Sequence, residues 1–83
     1  MTEVIFSKEA ENDYSKLPKT EQKKINRKIS YLSLNPSVGK LLRGKLEGSY
    51  AIRAWPYRII YEIVGRPANI AILRIQHRQG VYK

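Results

Sequence analysis

The sequence has no cysteine, one histidine, and only seven Asp and Glu against sixteen Lys and Arg. Without cysteine the chain can form neither disulfides nor thiolate metal sites, and stability must come from apolar packing. One histidine with scattered acids cannot close a metal coordination sphere, so no metal and no other cofactor is expected. Long hydrophobic runs are missing too. Stretches such as Ile70 to Leu73 are far too short to span a bilayer, and the start, Met1-Thr2-Glu3-Val4-Ile5-Phe6, lacks the basic stretch and apolar core of a secretory signal. The expectation is a soluble, cytoplasmic protein with no membrane partner. Also lacking are a phosphate-cradling glycine motif, a serine or cysteine nucleophile at a recognisable spacing from a base, and the paired aromatics of an RNA-recognition motif.

What remains is basic. The net charge is +9, beyond what solubility asks of a small domain, and it points to a polyanionic partner. The acids Glu9, Glu11, Asp13 and Glu21 gather in the first quarter. From Ser49 onward there are Arg53, Arg58, Arg66, Arg74, Arg78 and Lys83 against Glu62 alone. Arginine forks match phosphate oxygens two at a time, which favours nucleic acid. A membrane-surface protein would instead carry its charge on an amphipathic helix with large apolar anchors.

At 83 residues, without repeat or linker, the chain reads as a single domain over 1–83. Val4, Ile5 and Phe6 make a short β-prone start. From Ser7, the residues Ala10, Tyr14 and Leu17 recur at helical spacing until Pro18. Ile25, Ile29 and Leu32 form the stripe of a second helix that stops at Asn35-Pro36. The segment from Pro36 to Gly48 reads as a basic loop, in which Lys40, Arg43 and Lys45 are candidate RNA contacts. Strand-like stretches then run over Tyr50 to Trp55, Tyr57 to Val64 and Asn69 to His77. The fold class is α+β: a short N-terminal strand, a helical hairpin, then a three-stranded antiparallel sheet.

If Trp55-Pro56 is a hairpin tip, Ala54 faces Tyr57, Arg53 faces Arg58, Ile52 faces Ile59 and Tyr50 faces Tyr61. Tyr50, Ile52, Ala54, Tyr57, Ile59, Tyr61 and Ile63 then share the face that packs on the helices, and Arg53 and Arg58 stand together on the other. Opposed like charges destabilise a sheet unless an anion sits between them. The plainer alternative is solvated charge, with Glu62 available to pair with Arg58. The third strand has Ile70 and Ile72 on one parity and Leu73 and Ile75 on the other, so its pattern does not choose a face, and Arg74 reads as structural. At the carboxyl end His77, Arg78 and Tyr82 lie close together. Singly they read as a surface histidine and a packing tyrosine; with Arg53 and Arg58 they supply what phosphodiester cleavage through a ribose 2′-hydroxyl requires, namely positioning, charge stabilisation and proton transfer.

The run Leu42-Arg43-Gly44-Lys45-Leu46-Glu47-Gly48, then Ile52-Arg53, Tyr57 to Ile63, and Ile72 to Tyr82 resembles the RelE branch of the RelE/ParE toxin superfamily. Leu17-Pro18-Lys19 and Leu34-Asn35-Pro36 extend the likeness over nearly the whole chain. The resemblance implies a toxin that cuts messenger RNA on the ribosome and a cognate antitoxin that holds it harmless. It places catalytic roles on Arg53, Arg58, Arg78 and Tyr82, with His77 where several relatives keep a histidine. The best-known bacterial member has two lysines on the first central strand where this chain has Ala51 and Arg53; arginine is a poor general base, so the resemblance implies either that His77 moves protons or that the activity is weaker. The antitoxin is expected on the helical hairpin, using Glu9, Glu11, Asp13 and the lysine-rich side of the second helix, and near the Arg53 and Arg58 face. Two rivals remain: a ParE-like inhibitor of DNA gyrase, and a non-catalytic RNA-binding module.

Overall fold

A computed structural model describes residues 2–44, 48–65 and 68–78. The elements run β1 (Val4–Phe6), α1 (Lys8–Ser15), α2 (Lys19–Leu34), a 3-10 turn at Pro36–Val38, β2 (Lys40–Leu41), β3 (Tyr50–Ala54), β4 (Tyr57–Val64) and β5 (Asn69–His77). They form one sheet in the order β1-β5-β4-β3-β2, parallel between β1 and β5 and antiparallel elsewhere. The α+β class and element order match the sequence reading, but the sheet has five strands rather than three after a separate first one. Val4 to Phe6 joins its edge beside β5, and Lys40–Leu41, expected in a loop, pairs with Ala51 and Tyr50 of β3.

Each helix begins and ends where side-chain chemistry dictates. Ser7 caps α1, its Oγ accepting from the Ala10 N–H at 3.0 Å. Pro18 opens α2, because a residue with no N–H costs nothing at a position where the helix has no acceptor to offer. Gln22 of α2 donates to the Tyr14 carbonyl at 3.0 Å, tying the start of α2 to the end of α1. Ala10, Leu17, Ile25, Ile29 and Leu32 bury their stripe against Ala54, Ile59, Tyr61, Ile70, Ile72 and Ile75, with Tyr50, Ile52, Tyr57 and Ile63 at the margin. The helix-facing set is the one that strand alternation predicts for β3 and β4.

The third long strand needs more than alternation. Ile60 pairs with Arg74 but Tyr61 pairs with Ile72, so Leu73 is an extra residue, a β-bulge. The bulge shifts parity by one, which lets Ile70, Ile72 and Ile75 all enter the same core. Helix α1 clamps it. The Ser7 hydroxyl donates to the Leu73 carbonyl at 2.8 Å, and the buried Asp13 carboxylate accepts from the Ile75 N–H at 2.9 Å and from Arg74 Nε at 2.8 Å. Arg74 is therefore structural. Asp13 is correspondingly unavailable as an exposed docking acid, which corrects that part of the sequence reading; a carboxylate so placed leaves water only because it gains three donors, the third being Arg74 Nη2 at 3.2 Å.

Tyr61 ties the start of β2 to the core. Its hydroxyl donates to the Pro36 carbonyl at 2.8 Å and accepts from the Gly39 N–H at 2.9 Å. A Cβ on Gly39 would collide with that hydroxyl, so glycine is required by close approach. Burial raises the Tyr61 phenol above its ordinary 10.0, against a smaller lowering by the Gly39 bond and with a further rise from Tyr50. The folded state thus favours the neutral phenol. Its contribution is complete below pH 10.0 and is lost as pH climbs from there through the raised folded value. Tyr61→Phe should cost about 1–2 kcal/mol at neutral pH, and the difference from wild type in urea denaturation should shrink only above about pH 10. A difference that shrank already near pH 8 would mean that Tyr61 is not the group responsible.

Candidate nucleic-acid interface

The hairpin that carries the arginines is pinned at both ends of its turn. Arg53 and Arg58 are direct partners across β3 and β4, as the tip at Trp55-Pro56 predicts. The Trp55-Pro56 peptide bond is cis, the form adopted by turns with proline in their third position. The Arg78 N–H donates to the Pro56 carbonyl at 2.7 Å, and the Lys24 ammonium donates to the Trp55 carbonyl at 2.9 Å. Strand β5 and helix α2 therefore both hold the tip.

Alternation places Ala51, Arg53, Arg58 and Ile60 on the face away from the helices. Ala51 and Ile60 are buried partners there, an apolar floor from which the two exposed arginines rise. A cleft of about 260 Å³ is lined by Arg53, Trp55, Tyr57, Arg58 and Arg78. A neighbouring cleft is lined by Lys40, Leu42, Ala51, Ile52, Arg53 and Arg58. Arg53 and Arg58 form the wall shared by both. Among the described residues no carboxylate pairs with Arg53, Arg58 or Arg78; the ion pairs are Glu21 with Lys24 and Asp13 with Arg74. Glu62 does not neutralise Arg58. Uncompensated guanidinium groups around one concavity attract an anion.

Not every candidate joins this cluster. His77 lies across from Tyr57, its ring edge-on at 5.5 Å, and Tyr57 packs on the helix-side core. It is Gln76 that pairs with Arg58, so His77 stands on the helix side of the strand and does not line the cleft. Arg43 is exposed and lines neither cleft. Tyr82 and Lys45 lie outside the described residues. Lys40 gains a definite place: it pairs with Ala51, sharing that residue's face, and lines the second cleft beside Arg53 and Arg58. Reading residues 36 to 48 as loop hid this. Trp55, the only tryptophan in the chain, reads from the sequence as a turn residue, yet it lines the cleft with the three arginines.

A family model for the ParE toxin of the type II toxin-antitoxin system parDE matches residues 4–82. Toxin RelG of Mycobacterium tuberculosis (strain ATCC 25618 / H37Rv) is 34% identical over 82 residues, spanning 96% of this chain and 94% of that protein. Among solved structures, the toxin-antitoxin complex RelBE2 from Mycobacterium tuberculosis aligns with a TM-score of 0.84 at 34% identity, over 93% of this chain and 98% of that one. The isolated E. coli RelE toxin aligns with a TM-score of 0.78 at 20% identity, over 93% and 84% of the two chains, a likeness of fold. The chain belongs to the ParE toxin family of type II toxin-antitoxin systems, within the RelE/ParE superfamily.

Proposed function

We propose that this toxin is an endonuclease that cuts messenger RNA on the ribosome through the substrate's own 2′-hydroxyl. The observation that carries the reading is the cleft of Arg53, Arg58 and Arg78, whose charges no described carboxylate neutralises. The scissile phosphate lies against Arg53 and Arg58, which share both clefts. The 2′-oxygen attacks phosphorus in line, the bond to the 5′-oxygen breaks, and the guanidinium groups stabilise the extra negative charge of the pentacoordinate state. Attack must release the 2′-hydroxyl proton and departure must supply one to the 5′-oxygen, and arginine does neither well. Tyr82 remains the candidate that the family resemblance offers for one transfer. Lys40, facing Ala51, supplies an ammonium on the same face, compensating for the lysine missing at position 51. Lys40→Ala should lower single-turnover cleavage about 100-fold, the lower end of the range for a positioned proton donor or charge. Lys40→Arg should recover binding more than rate. Equal rates for all three proteins would remove Lys40 from the reaction.

The residues act as one domain in the cytoplasm, with the ribosome and mRNA as target and an antitoxin as controlling partner. Support for the partner comes from the similar RelBE2 structure, itself a toxin-antitoxin complex. On α1 the acids available to it are the exposed Glu9 and Glu11. The test is primer extension on a translated message with the protein added to a cell-free system. New 5′ ends inside ribosome-occupied codons are expected. Altered plasmid supercoiling with intact message would instead support gyrase inhibition, the ParE-like alternative.

A further inference from the structure

We propose that Trp55 is a stacking platform for one unpaired nucleobase, so that the arginine cleft and the hairpin tip together bind a nucleotide by its phosphate and its base. This rests on the RNA reading of the cleft. Three observations carry it. Trp55 is 60% exposed, although a tryptophan at a hairpin tip could fold back on the apolar face. Its position is fixed from three sides: the Lys24 ammonium holds its carbonyl, the Arg78 N–H holds the next residue's carbonyl, and the Arg78 guanidinium covers one side of the indole at 4.7 Å from the ring centroid. A ring stacked on one side and still 60% exposed offers its remaining surface to a partner. The ring also lines the same cleft as Arg53 and Arg58, so a base resting on it is joined to a phosphate that those two can reach.

The chemistry suits a base rather than another apolar group. Every nucleobase has a π-face, and an indole already polarised by a guanidinium forms a three-layer stack of cation, indole and base. Loss of one such stack weakens binding by about 5- to 150-fold. The platform selects single-stranded over duplex RNA, because a base held in a helix cannot lie flat on it.

The chain's only tryptophan reports directly on the contact. The full protein is titrated with a short, end-labelled, 2′-O-methyl single-stranded oligonucleotide, which cannot be cleaved through its ribose. Label anisotropy measures binding, and indole fluorescence measures stacking. The same oligonucleotide with single abasic residues placed in turn is the charge-matched control. The expected result is quenching that disappears at one abasic position, an affinity about 5- to 150-fold lower for Trp55→Ala, and recovery of most of that loss in Trp55→Phe. Binding without quenching, or equal affinity for Trp55→Ala, overturns the platform while leaving the phosphate cleft intact. Absence of any anisotropy change at low salt overturns the RNA reading itself. Quenching by the purified antitoxin but not by the oligonucleotide assigns the tip to a protein partner and also overturns the proposal.

Discussion

Replacing Arg58 by alanine should abolish growth inhibition and reduce cleavage on the ribosome by about 10²–10³-fold, the loss typical when one donor to transition-state charge is removed. Arg58 is the strongest choice because it lines both clefts and faces Arg53 directly across the hairpin. Its removal relieves a like-charge contact rather than breaking an ion pair, and the side chain is exposed. Stability should therefore change by no more than about 0.5 kcal/mol or rise slightly. The two readouts must separate: full structure with lost activity. Toxicity that survives in a folded Arg58→Ala protein would take the phosphate away from this pair of strands. A large fall in stability would return Arg58 to a structural role.

The opposite pattern is expected of Asp13. Asp13→Ala should lower unfolding free energy by about 3 kcal/mol, because it leaves the Ile75 N–H without an acceptor and Arg74 without its carboxylate. The Arg74 side chain is partly open to water, so the loss falls at the lower end of what breaking a buried pair costs. Asp13→Asn should recover part of this, since its amide oxygen can still accept one bond. Urea denaturation measures both. Activity should fall only as far as the folded population falls, and a variant with wild-type stability but no activity would place Asp13 in the reaction. A loss of this size is a large fraction of the stability that a small domain has.

Both predictions show which parts of the molecule periodicity could reveal. Within one element the sequence speaks clearly. Ala10, Leu17, Ile25, Ile29 and Leu32 mark their helical stripes, Ser7, Pro18 and Asn35-Pro36 mark the boundaries, and the period of two in Tyr50 to Ile63 yields the core face and the Arg53–Arg58 pairing. Each of these depends on residues a few positions apart, whose relative directions are set by backbone geometry alone.

What tertiary structure alone decided lies between elements. The bulge at Leu73 exists because Ser7 and Asp13, some sixty residues earlier, supply partners for the backbone groups it frees; no local pattern of β5 encodes that. One added residue changes the face of everything beyond it, which is why His77 arrives beside Tyr57 rather than in the arginine cleft. Lys40 looked like loop because two residues are too few to show a period, and only pairing with β3 sets it opposite Ala51. By itself, then, the sequence determined the helices, the central hairpin and its paired arginines, where near neighbours dictate direction; which further side chains meet those arginines was decided by hydrogen bonds between distant segments, which form only when the chain has folded.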